Sequence, residues 1–482
     1  VTKDGSATIT TDRRIGTYDA SGVLTASGYN SLGQLIKYQD TIDSAASVDN
    51  VRVKFTADPA NGYDSLGRLQ HYSEVRYELA DALTNTTERN NITYDSTTGR
   101  MTYYLDTLTS NATMDLKTYV AFGATNITLN NADRTVNTVT KSTPSYDNLG
   151  RLNDYREARR QIDVTGLANL NVQSIIHRKG YNNTTDIGYD IYGRQLSYRE
   201  VTEKDGSATI TTDRRIGTYN ASNVLTATGY NALGQLLKYE DTISSADNTT
   251  AVKISSDLKV EFNASAYTDA YDDHGRLQHY SEVKTELDLT GLSVTTTERL
   301  GIGYDAATNQ MTDYQDYTSK TESLPVYTNR ASMDYNTVGQ LVYYKETTEN
   351  KDKTNAYSSN LKTYSIFGVN STDDIDPTGN LVGTQTDAVY DNYGRLKSYA
   401  EVRRQVDTDD PLRLNVRTLI SRAGYGNTAS IEYDNTTGQM IKYSEVVTKD
   451  GSAAITTDRR IGTFNASNVL TASGYNSLGQ LM

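Results

Sequence analysis

One thirteen-residue phrase keeps returning along this chain. YDSLGRLQHYSEV runs from Tyr63, and near-copies begin at Tyr146 (YDNLGRLNDYREA), Tyr189 (YDIYGRQLSYREV), Tyr271 (YDDHGRLQHYSEV) and Tyr390 (YDNYGRLKSYAEV). Its opening Y-[DN] turn also occurs, in looser form, at Tyr29, Tyr94, Tyr230, Tyr304, Tyr335, Tyr433 and Tyr475. Above it sits a longer period. The text of residues 3–35 returns at 204–236 and at 449–481, each time with 29 of 33 positions identical. Self-similarity of this kind implies an array in which each unit buries its faces against its neighbours. The long units are expected at 1–201 and 202–446, the second with an extra YNTVGQL motif, and a third begins at 447–482. The chain opens on Val1 inside one repeat and stops at Met482 just after another, so it is expected to be a window of a longer array.

The motif has the form of a hairpin tip. In Tyr63-Asp64-Ser65-Leu66-Gly67-Arg68, Asp suits the first position of a type I turn, and Gly the left-handed residue that follows it. Where Gly is missing, Asn stands in, at Asn223, Asn309 and Asn468, and Asn is the residue that best tolerates that conformation after Gly. The same reading applies to Tyr146-Asp147-Gly150-Arg151, Tyr189-Asp190-Gly193-Arg194, Tyr271-Asp272-Gly275-Arg276 and Tyr390-Asp391-Gly394-Arg395. All four YN copies carry Gln after Gly, whereas six of eight YD copies carry Arg. Two explanations stand: Asp64 and Arg68 and their equivalents meet at the tip, or YD/GR and YN/GQ are two duplicated lineages. Lys3-Asp4-Gly5-Ser6 is a further expected hairpin turn.

After the tip the text alternates as a strand does. Gln70, Tyr72, Glu74 and Arg76 share one face, and Leu69, His71, Ser73, Val75 and Tyr77 the other. The triplet of Tyr, Glu and a cation recurs at Tyr155-Glu157-Arg159, Tyr280-Glu282-Lys284 and Tyr399-Glu401-Arg403. Elsewhere an acid keeps the second place, at Asp40, Asp106, Glu200, Asp241, Asp316, Glu346 and Glu445. Stacked strands should therefore form Tyr columns flanked by acidic columns. Composition suits this. There are 38 Tyr but only 5 Phe and no Trp, and hydrophobic residues reach 36%. Such a chain needs cross-strand pairs in place of a thick core. The expectation is an all-β chain: a long antiparallel meander of about two dozen strands, wound into a spiral, tube or shell because open sheets rarely exceed about ten strands.

Function classes are narrowed mostly by what is missing. With no Cys, disulfides, thiolate metal sites and cysteine nucleophiles are excluded. The net charge is -13 with no basic block, which argues against a nucleic-acid footprint or a polybasic membrane patch, and no segment is apolar enough to be a spanning helix. No HExxH, GxSxG or phosphate-loop pattern occurs. His71 and His279 occupy the same LQHY slot and read as strand residues. No cofactor or metal is expected. The acidic columns suit solvated or Arg-paired carboxylates better than Ca²⁺ sites. Sequons occur, among them Asn85, Asn126, Asn263 and Asn370.

The repeated Y-D-x-x-G-R-L with a following Tyr, at Tyr63, Tyr146, Tyr271 and Tyr390, resembles the tyrosine–aspartate repeat of RHS-repeat proteins. The resemblance implies a continuous β-sheet spiralling into a hollow shell, in secreted or surface proteins that enclose toxin cargo or form giant surface structures. This chain departs from the family pattern in its wider spacing and in lacking the Gly/Pro-rich closing segment. Asp376-Pro377-Thr378-Gly379 is an isolated partial match that reads as a turn. Three functions are expected, none enzymatic: a segment of an extracellular fibre, tube or adhesin stalk that pairs with neighbouring repeats and copies of itself, a cargo-enclosing shell, or a glycan-binding surface formed by the Tyr rows.

Overall fold

The computed structural model describes residues 9–44, 47–58, 60–78, 83–113, 116–130, 133–164, 170–245, 248–257, 270–288, 291–321, 323–351, 358–370, 372–410, 412–434, 439–467, 469–472 and 474–475. The expected turns at Lys3–Ser6 and Asn468, and the sequon Asn263, lie outside them. The chain is an all-β antiparallel meander. It divides into two compact units, residues 1–214 with 306–309 and residues 215–305 with 310–482. The division falls inside the strand Ile210–Tyr219, thirteen residues after the expected 201/202 boundary, and the beginning of the third long repeat belongs to the second unit.

In the first unit the ladder runs Ile9–Tyr18, Lys37–Ser44, Ser47–Ala57, Tyr72–Glu78, Leu83–Tyr94, Met101–Ser110, Leu116–Phe122, Leu152–Asp163, Asn171–Lys179 and Gln195–Lys204. In the second it runs Lys238–Ser245, Asn248–Asp257, Tyr280–Asp288, Gly291–Tyr304, Met311–Lys320, Val326–Tyr335, Leu341–Lys351, Ser358–Phe367, Leu396–Asp407, Asn415–Ala423, Met440–Lys449 and Ile455–Arg460. Every rung pairs with the rung before it, short side hairpins apart, so each pairing closes only a modest loop. Two kinds of rung alternate. One follows a tip and carries Tyr-x-Asp/Glu; the other is the strand that returns to the next tip.

The sheet is thin, and it thickens where the long repeat carries a side hairpin. In the first unit Ala124–Leu129 and Val136–Lys141 pair with each other and fold over one sheet face, where Ile127 packs on Tyr103, Leu105, Tyr119, Ala121, Ala158 and Ile162. In the second unit Asp374–Ile375 and Leu381–Val382 form a smaller hairpin, and Ile375 packs on Tyr343, Ile366, Val402 and Leu419. Its loop is Asp376-Pro377-Thr378-Gly379, a turn as its sequence indicated. Gly379 N donates to the Asp376 carbonyl at 3.0 Å. Backbone N–H of Asn380 and the Thr378 hydroxyl hold the Asp376 carboxyl down at about 2. Each hairpin is tied to the sheet by an arginine: Arg160 donates to the Ile127 carbonyl, and Arg404 reaches both Asp374 oxygens at 2.7 and 2.9 Å.

These small cores make a clear prediction. Ile127 has no exposed surface, so Ile127→Ala should lower unfolding free energy by about 2–5 kcal/mol. Leu66, 73% exposed at a tip, should tolerate Leu66→Ala with little change. Urea unfolding of both variants beside the parent checks the contrast.

Candidate functional site

The feature repeated most faithfully in three dimensions is the tip. At Asp64 the backbone N–H donates to the Arg68 carbonyl at 2.8 Å, and Gly67 N donates to the Asp64 carbonyl at 2.9 Å. The Asp64 carboxylate accepts from Leu66 N and Arg68 N through Oδ1, and from Arg68 Nε through Oδ2 at 2.7 Å. Gly67 sits at φ +78°, with Gly150, Gly193, Gly275 and Gly394 between +78° and +85°. Asn223 and Asn309 take the same place at +60° and +57°. The Asp–Arg contact recurs at Asp147–Arg151 (2.6 Å), Asp190–Arg194 (2.6 Å), Asp272–Arg276 (2.7 Å) and Asp391–Arg395 (2.9 Å). In the YN tips an amide pair replaces it: Asn30 Nδ2 donates to Gln34 Oε1, Asn231 to Gln235 and Asn336 to Gln340, each at 2.6 Å. The shared occurrence of D with R and of N with Q thus has a geometric basis.

The backbone N–H and guanidinium of Arg68 hold the Asp64 carboxyl below the usual carboxylate range. At Asp147, Asp190 and Asp272 desolvation pushes the other way, but the hydrogen bonds from Arg151, Arg194 and Arg276 outweigh it and the carboxyl still lies low.

The motif tyrosine links one tip to the one before it. Its hydroxyl donates to the backbone carbonyl of the Leu or Met that closes the preceding tip. In the first unit Tyr63 reaches Leu35 (2.5 Å), Tyr94 reaches Leu69 (2.8 Å), Tyr146 reaches Met101 (2.5 Å) and Tyr189 reaches Leu152 (2.5 Å). In the second, Tyr271 reaches Leu236, Tyr304 Leu277, Tyr335 Met311, Tyr390 Leu341, Tyr433 Leu396 and Tyr475 Met440, at 2.6 to 2.9 Å. The tip arginine then lies over the next ring: Arg68 over Tyr94 at 4.5 Å, Arg151 over Tyr189 at 4.6 Å, Arg276 over Tyr304 at 4.7 Å and Arg395 over Tyr433 at 4.5 Å. Every fixed letter of Y-D-x-x-G-R-L therefore has a contact, and two of those contacts cross to the neighbouring repeat.

A second ladder runs along the rungs, and it differs from the plain Tyr columns expected. The residue of the return strand stands between two tyrosines. Phe55 stacks on Tyr38 (5.0 Å between ring centres) and tilts against Tyr72 (5.3 Å). Arg89 lies between Tyr72 (5.7 Å) and Tyr104 (3.7 Å). Phe122 lies between Tyr104 and Tyr155, and Arg178 between Tyr155 and Tyr198. The second unit repeats this: Arg299 between Tyr280 and Tyr314, Arg330 between Tyr314 and Tyr344, Phe367 between Tyr344 and Tyr399, Arg422 between Tyr399 and Tyr443. Register explains the interleaving. Arg89 is directly opposite Tyr72 on one side and Asp106 on the other, so the following tyrosine is its diagonal neighbour.

The acids take their partners from the same register. Where the return residue is Arg, it pairs with the acid opposite, as in Arg13–Asp40, Arg89–Asp106 and Arg299–Asp316, each through two oxygens at 2.7 to 2.8 Å. Where it is Phe, the acid faces a ring and takes a cation from its own strand. Glu157, opposite Phe122, accepts from Arg159 at 2.6 Å, and Glu401, opposite Phe367, accepts from Arg403 at 2.5 Å. Glu74 also lies opposite Phe55. Glu282 departs from the pattern: the register places Ser256 opposite it, and Lys284 bonds Glu286 instead.

The tyrosine hydroxyl contacts and the return-strand arginines were absent from the sequence reading. Only the second left a signal. The return strands carry F or R as their last residue on the column face, as in VKF, TER, VAF, HR, TER, TNR, SIF and SR at Phe55, Arg89, Phe122, Arg178, Arg299, Arg330, Phe367 and Arg422. His71 sits between tip and rung with Nδ1 3.3 Å from Asn90 Oδ1. Among the described residues no group of three or more His, Asp or Glu is placed to hold a metal, and no helix is long and apolar enough to cross a membrane.

No protein-family profile matches the chain, and no curated protein matches it. Among solved structures it is weakly similar to a TcdB2-TccC3 chain without its hypervariable C-terminal region (11% identity, TM-score 0.14) and to the TcdB2-TccC3-Cdc42 chain (10% identity, TM-score 0.14). The matches cover 92% and 93% of this chain but 28% of each of those chains.

Two outcomes follow from the site. Asp272→Asn and Arg276→Gln together should be milder than either alone, because Asn231 and Gln235 already make the neutral pair. Urea unfolding of the four variants should give a coupling of about 0–1 kcal/mol, as for other partly exposed pairs. The second concerns alkali. Desolvation raises Tyr104, Tyr344 and Tyr433 to about 12, above a free phenol near 10. The folded state thus holds these protons more tightly than the unfolded one, so their contribution is complete below about pH 10 and lost as pH rises through about 12. Tyrosinate absorbance and β-sheet circular dichroism should change together across that window. Full ionisation near pH 10 with the sheet intact would contradict it.

Proposed function

We propose that this segment is a non-enzymatic structural repeat of an extracellular fibre, tube or stalk. What supports the reading is a single observation: the residues that recur most regularly are used up in contacts between successive repeats. The motif tyrosine, its aspartate, its arginine and the closing leucine carbonyl all have partners within the array. A catalytic group is instead expected to face a concave, water-excluding site with its chemistry unspent. The repetition also gives the array a mechanical character. Each tip holds its neighbour through the tyrosine hydrogen bond, and Arg-bearing tips such as Asp64–Arg68 add a ring–guanidinium contact, so a load along the array is shared by many similar links. Its partners would be its own repeats and further copies of the chain.

Electron microscopy of the native full-length protein tests this. The expected result is filaments of uniform width, with an axial repeat that follows the 201- and 245-residue spacings of the long units. Discrete hollow particles of fixed size would overturn it in favour of a cargo shell, as would any turnover mapped to this segment in favour of an enzyme.

A further inference from the structure

In the first unit, on the sheet face opposite the Tyr–Arg column, three cations surround one hollow. Arg14 is directly opposite Gln39, and Gln39 is directly opposite Lys54. Lys37 lies two residues before Gln39 on the same face. With Tyr18, Tyr38, Gly16 and Asp19 they line a cavity of about 260 Å³. The neighbouring Arg13 points to the other face, where Asp40 clamps it. Among the described residues no carboxylate pairs with Arg14, Lys37 or Lys54. Lys54 lies 5.0 Å over the Tyr77 ring and Arg14 5.6 Å over Tyr18. Asp19 is engaged by Ser21 and Val23 in its own turn, and Asp12, further along the face opposite Thr41, makes no ion pair with them. In a chain of net charge -13, whose column arginines are clamped, this is an uncompensated positive site.

The second unit supplies an internal comparison. Arg215, Lys238, Gly217 and Tyr219 hold the equivalent places, but Glu240 stands for Gln39 and Ser255 for Lys54. There Arg215 bonds the Glu240 carboxylate, and its Nη1 donates to Asn223 Oδ1 at 2.7 Å. A carboxylate thus occupies, from within the chain, the position that the first unit leaves ringed by cations.

We propose that the first unit's hollow binds the carboxylate or sulfate group of an acidic sugar. Arg14 and Lys54 take the anion where Glu240 sits in the other copy, and Lys37 adds a third charge. The Gln39 amide and the Tyr18 side chain offer the hydrogen bonds and ring edge that a sugar needs. The proposal is independent of whether the array forms fibres or shells, since it concerns one cavity within one unit.

Calorimetric titration of the whole chain with glucuronate, glucose and inorganic sulfate tests it. Glucuronate should bind saturably and weaken with added salt, and glucose should not bind. The double variant Gln39→Glu with Lys54→Ser copies the second unit, and should bind glucuronate roughly tenfold or more weakly, the weight of about one charged contact, with an unchanged melting temperature. If that variant does not fold, Lys37→Gln at an exposed position should give a smaller loss of the same kind. Absence of glucuronate binding, or equal binding by these variants, would overturn the proposal. Sulfate binding as tightly as glucuronate would overturn its sugar part.

Discussion

A guanidinium lying over a phenol ring while a carboxylate accepts its Nε and Nη hydrogens is the contact on which this sheet depends. It allows a chain with few large apolar residues to bury area and charge together. The ring supplies a broad face at the cost of few rotatable bonds. The arginine packs on it as a plane and presents its donors sideways. The carboxylate then removes the penalty of half-burying a cation. Burial would lower the Arg89 and Arg299 pKa, but Asp106 and Asp316 reverse this and raise it. Each link contributes modestly. Repeated on rung after rung, the links do the work of a thick core.

The exchange of Arg and Phe at the return position shows how charge is balanced strand by strand. With Arg present, as at Arg89 and Arg330, the acid opposite is neutralised across the ladder. With Phe present, as at Phe122 and Phe367, the strand that bears the glutamate also bears the arginine two residues on. The tip obeys a similar rule. Asp with Arg and Asn with Gln make the same side-chain bridge, one charged and one neutral. Two YD tips, at Asp305 and Asp434, carry Gln310 and Gln439 in place of Arg.

The tip turn and the strand alternation were legible because both are local. D-x-x-G at Asp64–Gly67 requires only that one residue take positive φ, and Tyr72-Glu74-Arg76 requires only a period of two. The Asp–Arg pair was legible as one of two explanations, because its partners are four residues apart. The clasp from Tyr94 to the Leu69 carbonyl was not legible. Its acceptor is backbone, which carries no side-chain signature, and it lies 25 residues away. The thickening hairpins were missed for a related reason. Ile127 and Ile375 look like ordinary strand residues until the chain folds back over the sheet.

Sequence alone settled that this is a repetitive antiparallel β protein, since periodic turns and alternation act within a few residues and survive in any surroundings. Tertiary structure decided which residue faces which. The register places Arg89 rather than another tyrosine between Tyr72 and Tyr104, and it leaves Arg14, Lys37 and Lys54 around an open hollow while Arg215 is satisfied by Glu240. Register is a cooperative property: a slip of one residue would turn every side chain to the other face. It follows from the summed pairing of whole strands, which no single stretch of sequence contains.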